Sequence, residues 1–314
     1  MVRLLGVLVM VLVLYGILMG SFENAQSLGN HQVLARRLGF YGVLTLGVGV
    51  LIVSGGIDLS IGSLLGLCAV CFGLLIQKWP PVMAAGIVIL GAALVGLIHG
   101  VLITQLNLQP FLVTLCGLFM YRGLARYASD TTLGLPDQPS VESLRWLLVN
   151  GNFLGVSHQL LLLLLIAAVL ALLLHGSVYG RYLYAIGYNE KAALYAGIAT
   201  TRYKIMGYVI CSMLAGLGGV LFLLEYRMAQ PSSAGSLLEL YAITGAVLGG
   251  CSLRGGEGTI PGMLLGAAIL PLLAQICNFS PYIGSDLEYT VIGGALLLGT
   301  VGNEMLARRS AARK

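Results

Sequence analysis

Ten apolar runs, each roughly 16–25 residues long and without strand-like polar alternation, divide this chain and leave it one broad architecture. They lie near 4–20, 39–56, 60–77, 81–105, 108–125, 159–175, 204–226, 237–252, 259–277 and 287–306. Each can carry a helix across about 30 Å of hydrocarbon, and each is too long for the ~10-residue strands of a membrane barrel. Composition agrees. Charged residues make up 9% of the 314 and hydrophobic ones 58%, whereas a water-soluble domain carries about 25% charge. The expected fold is therefore an all-α integral membrane protein of about ten transmembrane helices. It forms a single membrane domain over 1–314. The two longest loops, 126–158 and 176–203, are too short to bury cores of their own. The first run, "MVRLLGVLVMVLVLYGILMG", has the basic start of a signal peptide. It lacks a small-x-small cleavage site in "GSFENAQS", so it is expected as a retained span.

Charge gives an orientation. With ten alternating spans and a cytoplasmic N-terminus, ten Lys and Arg fall inside and seven outside, as the positive-inside rule favours. Both termini are then cytoplasmic, and the 176–203 loop shares their side. The net charge of +5 is no nucleic-acid footprint, because much of it sits in the tail "RRSAARK" and no basic patch is interleaved with aromatics. The six cysteines lie inside apolar runs and read as packing residues; Cys68 and Cys71 form a C-x-x-C without a second pair or a nearby His. No lysine follows a glycine, so there is no phosphate-binding P-loop. No serine has the nucleophile-elbow pattern, and the four histidines are scattered. No catalytic residue and no metal ligand is expected.

The stretch "SGGIDLSIGS" (54–63) is the strongest local signal. From Gly39 to Gln77 the only charged residue is Asp58. As one helix those 39 residues would run about 58 Å, roughly twice a crossing. Gly55-Gly56 must therefore separate two elements. An ionised Asp facing lipid at mid-membrane costs ~3 kcal/mol, so Asp58 belongs at the break, at an interface or against a polar path. Asp58 or Ser60 can cap the helix that continues "IGSLLGLCAV". Alternatively, the break lines a solute path, with Ser54, Gly55, Gly56, Asp58 and Ser60 along it. The two readings are compatible.

The second signal is "GRYLYAIGYNEKAALYAGIATTRYKI" (180–205), too charged to be a span. Within it "NEKAALYAG" reads as a short amphipathic helix. Asn189 caps it, Ala192, Ala193 and Ala196 favour it, and Gly197 ends it. Such a helix is either a connector or a docking element.

Taken together, the segments resemble a known family. "GVGVLIVSGGIDLSIGSLLGL" (47–67), "QPFLVTLCGLFMYRGL" (109–124), "YGRYLYAIGYNEKAALYAGI" (179–198), "KIMGYVICSMLAGLGGVLF" (204–222) and "VLGGCSLRGGEGTIPGMLLGA" (247–267) are similar, in order and spacing, to permeases of ABC importers of the ribose, xylose and autoinducer-2 type. The resemblance runs from about 35 to 305. It implies a paired permease in the inner membrane that does no chemistry and holds no cofactor. A solute-binding protein delivers a sugar-like solute from outside, and a separate ATPase pair binds ATP and Mg. It implies that Phe111 and Thr114 join the solute path. It also makes the 189–197 helix, with Asn189, Glu190, Lys191, Ala192, Ala193 and Gly197, the coupling helix seated on the ATPase. Lys191 stands where relatives carry an acidic residue, Tyr188 where Gly is usual, and Tyr241 where Asp is frequent. A stand-alone secondary carrier is the other function open to this chain, because it too needs a broken helix near mid-membrane.

Overall fold

The structure, a computed structural model, describes residues 2–280, together with 290, 293, 294, 297 and 301. The expected run at 287–306 lies, apart from those five positions, outside the described residues. The described residues form twelve α-helices: α1 (Val2–Ser21), α2 (Leu28–Val53), α3 (Ile61–Leu75), α4 (Pro81–Thr104), α5 (Pro110–Ala128), α6 (Pro139–Arg145), α7 (His158–Ala171), α8 (Val178–Tyr188), α9 (Glu190–Tyr195), α10 (Thr200–Tyr226), α11 (Leu238–Leu248) and α12 (Ile260–Phe279). The strands are two-residue pairs: β1 (Leu133–Gly134) with β4 (Met228–Ala229), and β2 (Asn152–Phe153) with β3 (Val156–Ser157), both antiparallel.

Among the described residues, six helices are long and apolar enough to cross a membrane: α1 from Leu4, α2, α4, α7 with its π-helical extension to Gly176, α10 and α12. The apolar α3 and α11 are shorter. The 19-residue α5 carries Arg122 and Arg126 in its second half. Helix starts follow local chemistry. Pro81, Pro110 and Pro139 stand in first turns, where a missing N–H costs nothing. Ser27, Ser157 and Thr259 cap through their hydroxyls.

Helices α2 and α10 are mostly buried and form the centre, while α1, α4 and α7 turn broad apolar faces outward. An apolar exterior is what lipid requires. The core follows from composition: Phe40, Leu44, Leu51, Phe72, Tyr208 and Leu221 lie in one cluster from α2, α3 and α10. Polar clamps tie the far ends. Gln275 of α12 donates to Asn30 of α2, and Arg37 donates to Gln275 at 3.2 Å.

Two boundaries differ from the sequence expectation. Helix α2 begins at Leu28, not Gly39. Arg36 and Arg37 depress the local hydropathy but are good helix formers, and the Arg36 Nε lies 3.5 Å from Glu225 of α10. The 126–158 loop is folded, with α6, a π turn at Trp146–Asn150 and the β2–β3 hairpin.

Candidate functional site: a helix break tied to a helical elbow

Residues 54–60 separate α2 from α3, as the length of the 39–77 stretch demands. The α2 end is closed locally. The Ser54 hydroxyl donates to the Leu51 carbonyl at 2.7 Å, and the Gly55 N–H donates to Ile52 O at 2.8 Å. Gly55 then takes φ +79°, a conformation that disfavours a side chain. Asp58 Oδ1 accepts from the Ser60 N–H at 2.8 Å and from the Ser60 hydroxyl at 2.6 Å. This is an Asx turn immediately ahead of α3, not the side-chain N-cap expected: Ser60 is the cap residue and makes no side-chain cap bond.

Asp58 is fully enclosed, so its carboxylate faces no open path in this structure. Its Oδ2 has no hydrogen-bond partner and lies 3.8 Å from Nδ1 of His99, which is also unpartnered. That distance is too long for a hydrogen bond but short for an electrostatic contact in a low-dielectric site. On its other side His99 Nε2 meets the Tyr121 hydroxyl at 2.7 Å. A ring that accepts from Tyr121 presents Nδ1–H to the carboxylate. A buried chain Asp58–His99–Tyr121 thus joins the break to α4 and α5. His99 was missed in the sequence reading. The available signal was an ionisable side chain in the middle of a long apolar helix.

On α5, Gly117 and Tyr121 reach this cluster; a Cβ at Gly117 would lie 3.0 Å from His99 Nε2 and 3.1 Å from Ser60 Cβ. Phe111 is exposed, and the buried Thr114 donates its hydroxyl to Pro110 O at 2.9 Å.

The break also touches the 176–203 region. The Val53 carbonyl accepts from the Gly256 N–H at 2.9 Å. Gly187, near the end of α8, presses on the same place, and a Cβ there would collide with Val53 O. Tyr184 of α8 donates to Gly258 O at 2.6 Å. Three segments distant in sequence are therefore locked backbone to backbone.

Helix α9 follows α8 directly. Asn189 Oδ1 accepts from the Ala192 N–H at 3.0 Å, and Gly197, at φ +82°, ends the turn. The Glu190 carboxylate meets Lys204 of α10 at 2.9 Å. Ala193 points inward and is buried, so it seats the helix on the chain rather than offering itself to a partner. The outward face carries Lys191 and Ala192, with Tyr188, Leu194 and Tyr195, the two tyrosines almost fully exposed. A cavity of about 580 Å³, within the roughly 300–1,000 Å³ of ligand clefts, opens beside this elbow, bordered by Thr104, Asn107, Glu190, Lys191 and Lys204. No group of three metal-ligating side chains converges among the described residues.

Comparison with known proteins gives the same direction. The family profile described as branched-chain amino acid transport system / permease component matches residues 32–300. The ribose import permease protein of Bacillus subtilis is 36% identical over 300 residues, 95% of this chain and 90% of that protein. The ribose import permease protein of Escherichia coli K12 is 32% identical over 296 residues, 93% of this chain and 90% of its own length. The L-arabinose ABC transporter permease protein of Azospirillum brasilense is 30% identical over 312 residues, 98% of this chain and 90% of its own length. No solved structure matches the chain.

Proposed function

Because the chain belongs to the family of ABC-importer permease components that includes ribose import permeases, we propose that it moves a sugar or sugar-like polar solute inward across the inner membrane as one of a permease pair. An extracytoplasmic binding protein delivers the solute. ATP and Mg are held by a separate ATPase, which docks on α9. The observation that carries this reading is the backbone lock. Force applied to the exposed Tyr188–Tyr195 elbow reaches Val53 through Gly187 and Gly256 without a flexible side chain between them. From Val53 it reaches the Asp58 turn and, through His99 and Tyr121, helices α4 and α5. A permease needs such a route to convert ATPase motion into opening of a path.

Ten alternating spans in one domain, with both termini cytoplasmic, belong to the same proposal, and two sets of contacts fit its assignment of sides. The break, Gly187 and Gly256, all assigned inside by the alternation, come together. Leu133 and Ala229, both assigned outside, pair as strands.

The test is affinity purification of the tagged chain from its native membrane. An ATPase and a second permease copy or paralogue should be retained. ATP hydrolysis by the reconstituted complex should rise when loaded binding protein is added. Purification of the chain alone, active in solute uptake without ATP, would establish a secondary carrier instead.

A further inference from the structure

Between α10 and α11 the chain does not stay at the membrane surface. Met228–Ala229 pairs with Leu133–Gly134, and a Cβ at Gly73, near one end of α3, would lie 3.3 Å from a Leu133 side-chain carbon. By Ala234 the chain has reached Gly66, and by Gly235 it lies on Gly62, near the other end of α3. Gly73 to Gly62 spans about 16 Å of helix axis. Residues 230–237 thus run back into the membrane as irregular backbone. Both ends are held left-handed by non-glycine residues, Arg227 at φ 58° and Leu237 at φ 66°. For a bulky side chain such as leucine this is a strained state that only firm surroundings maintain.

Arg122 holds the segment between those two ends. From the second half of α5 it donates to Ala234 O at 2.6 Å and Pro231 O at 3.4 Å, and it reaches the Ser236 hydroxyl at 3.4 Å. Counted by sequence among the outside charges, it lies instead within a helix, against re-entrant backbone. Glu239, buried at the start of α11, rests on Gly62 and acts electrostatically on Arg122.

One side of the segment is covered by α3 and Arg122. The other exposes Gln230, Ser232, Ser233 and Ser236, with the partly apolar end at Leu237. Irregular backbone at membrane depth persists only where protein buries it or water lines it, and four exposed polar side chains there rule out a lipid face on energetic grounds. We propose that segment 230–237, anchored by Arg122, lines the aqueous solute path and offers its serine hydroxyls to the solute. The row of hydroxyl donors and acceptors suits a solute that itself carries hydroxyls. This deepens the permease reading and rests on it.

Single cysteines test it in the assembled complex, with the exposed Cys116 replaced by Ala. Ser233→Cys and Ser236→Cys should react with a charged methanethiosulfonate roughly tenfold faster than Leu90→Cys on the lipid-facing side of α4, because only a hydrated thiol ionises readily. ATP with orthovanadate should change their rates. Reaction no faster than at Leu90→Cys would overturn the proposal and place the segment against lipid or a sealed interface. Fast reaction indifferent to ATP would keep the wet segment but remove the ATP-driven function. Adding Arg122→Gln to Ser236→Cys should abolish the ATP response; an unchanged response would exclude Arg122 as the anchor.

Discussion

Asp58 uses one carboxylate oxygen to hold two donors of Ser60 and turns the other toward His99. The first role is local and the second is not, and two substitutions separate them. Asp58→Asn keeps an acceptor for the Ser60 N–H, and its new amide donor is met by a change of His99 tautomer, which Tyr121 accommodates because a hydroxyl both donates and accepts. Asp58→Ala leaves a buried N–H without a partner, at a cost of about 1–3 kcal/mol. The expected outcome is near-normal uptake and thermal stability for Asn, and a clear loss of both for Ala, measured by radiolabelled uptake and by thermal unfolding of the detergent-solubilised protein. A stable Asn variant that cannot transport would show that the charge itself, and not the turn, is needed.

At the scale of elements, the proposed docking on α9 is tested at its outward face. Leu194→Asp and Tyr195→Ala change its outward face and leave its caps intact. Each should lower binding-protein-stimulated ATP hydrolysis by about tenfold, equivalent to ~1.4 kcal/mol of lost docking, while insertion is unaffected. Gly197→Leu should act differently. Space around Gly197 is open, so its cost is the roughly 1–2 kcal/mol of a left-handed non-glycine residue, and it should loosen the elbow rather than its surface. Unaltered stimulation in all three variants would rule out docking at α9. This helix was legible in the sequence because its start and stop are written within a few residues, in Asn189 and Gly197. The break at 54–60 was legible for a similar reason, since length alone demanded it. The start of α2 was not, because Arg36 and Arg37 look like loop residues until Glu225 and Gln275 are brought to them by folding. His99 and Arg122 were obscure on the same grounds. Their partners, Asp58 and Ala234, are far away in the chain, and no local pattern encodes such meetings.

For the molecule as a whole, the two ends of the bundle carry different kinds of surface. One end gathers the break, the 249–259 loop and the α8–α9 elbow; the other gathers α6 and the paired strands β1 and β4. Ser140, exposed in α6, and Tyr188, exposed at the elbow, report on these ends. Ser140→Cys should label with an impermeant reagent in intact cells, and Tyr188→Cys only after permeabilisation. The opposite pattern would invert the topology and detach the elbow from any cytoplasmic motor. The lock at Val53 has a consequence for how the chain is made. Its parts are residues 53, 187 and 256, so a nascent chain carries this end unclosed until Gly256 has left the ribosome. Fragments that stop before Gly256 keep that end open however many spans they have inserted.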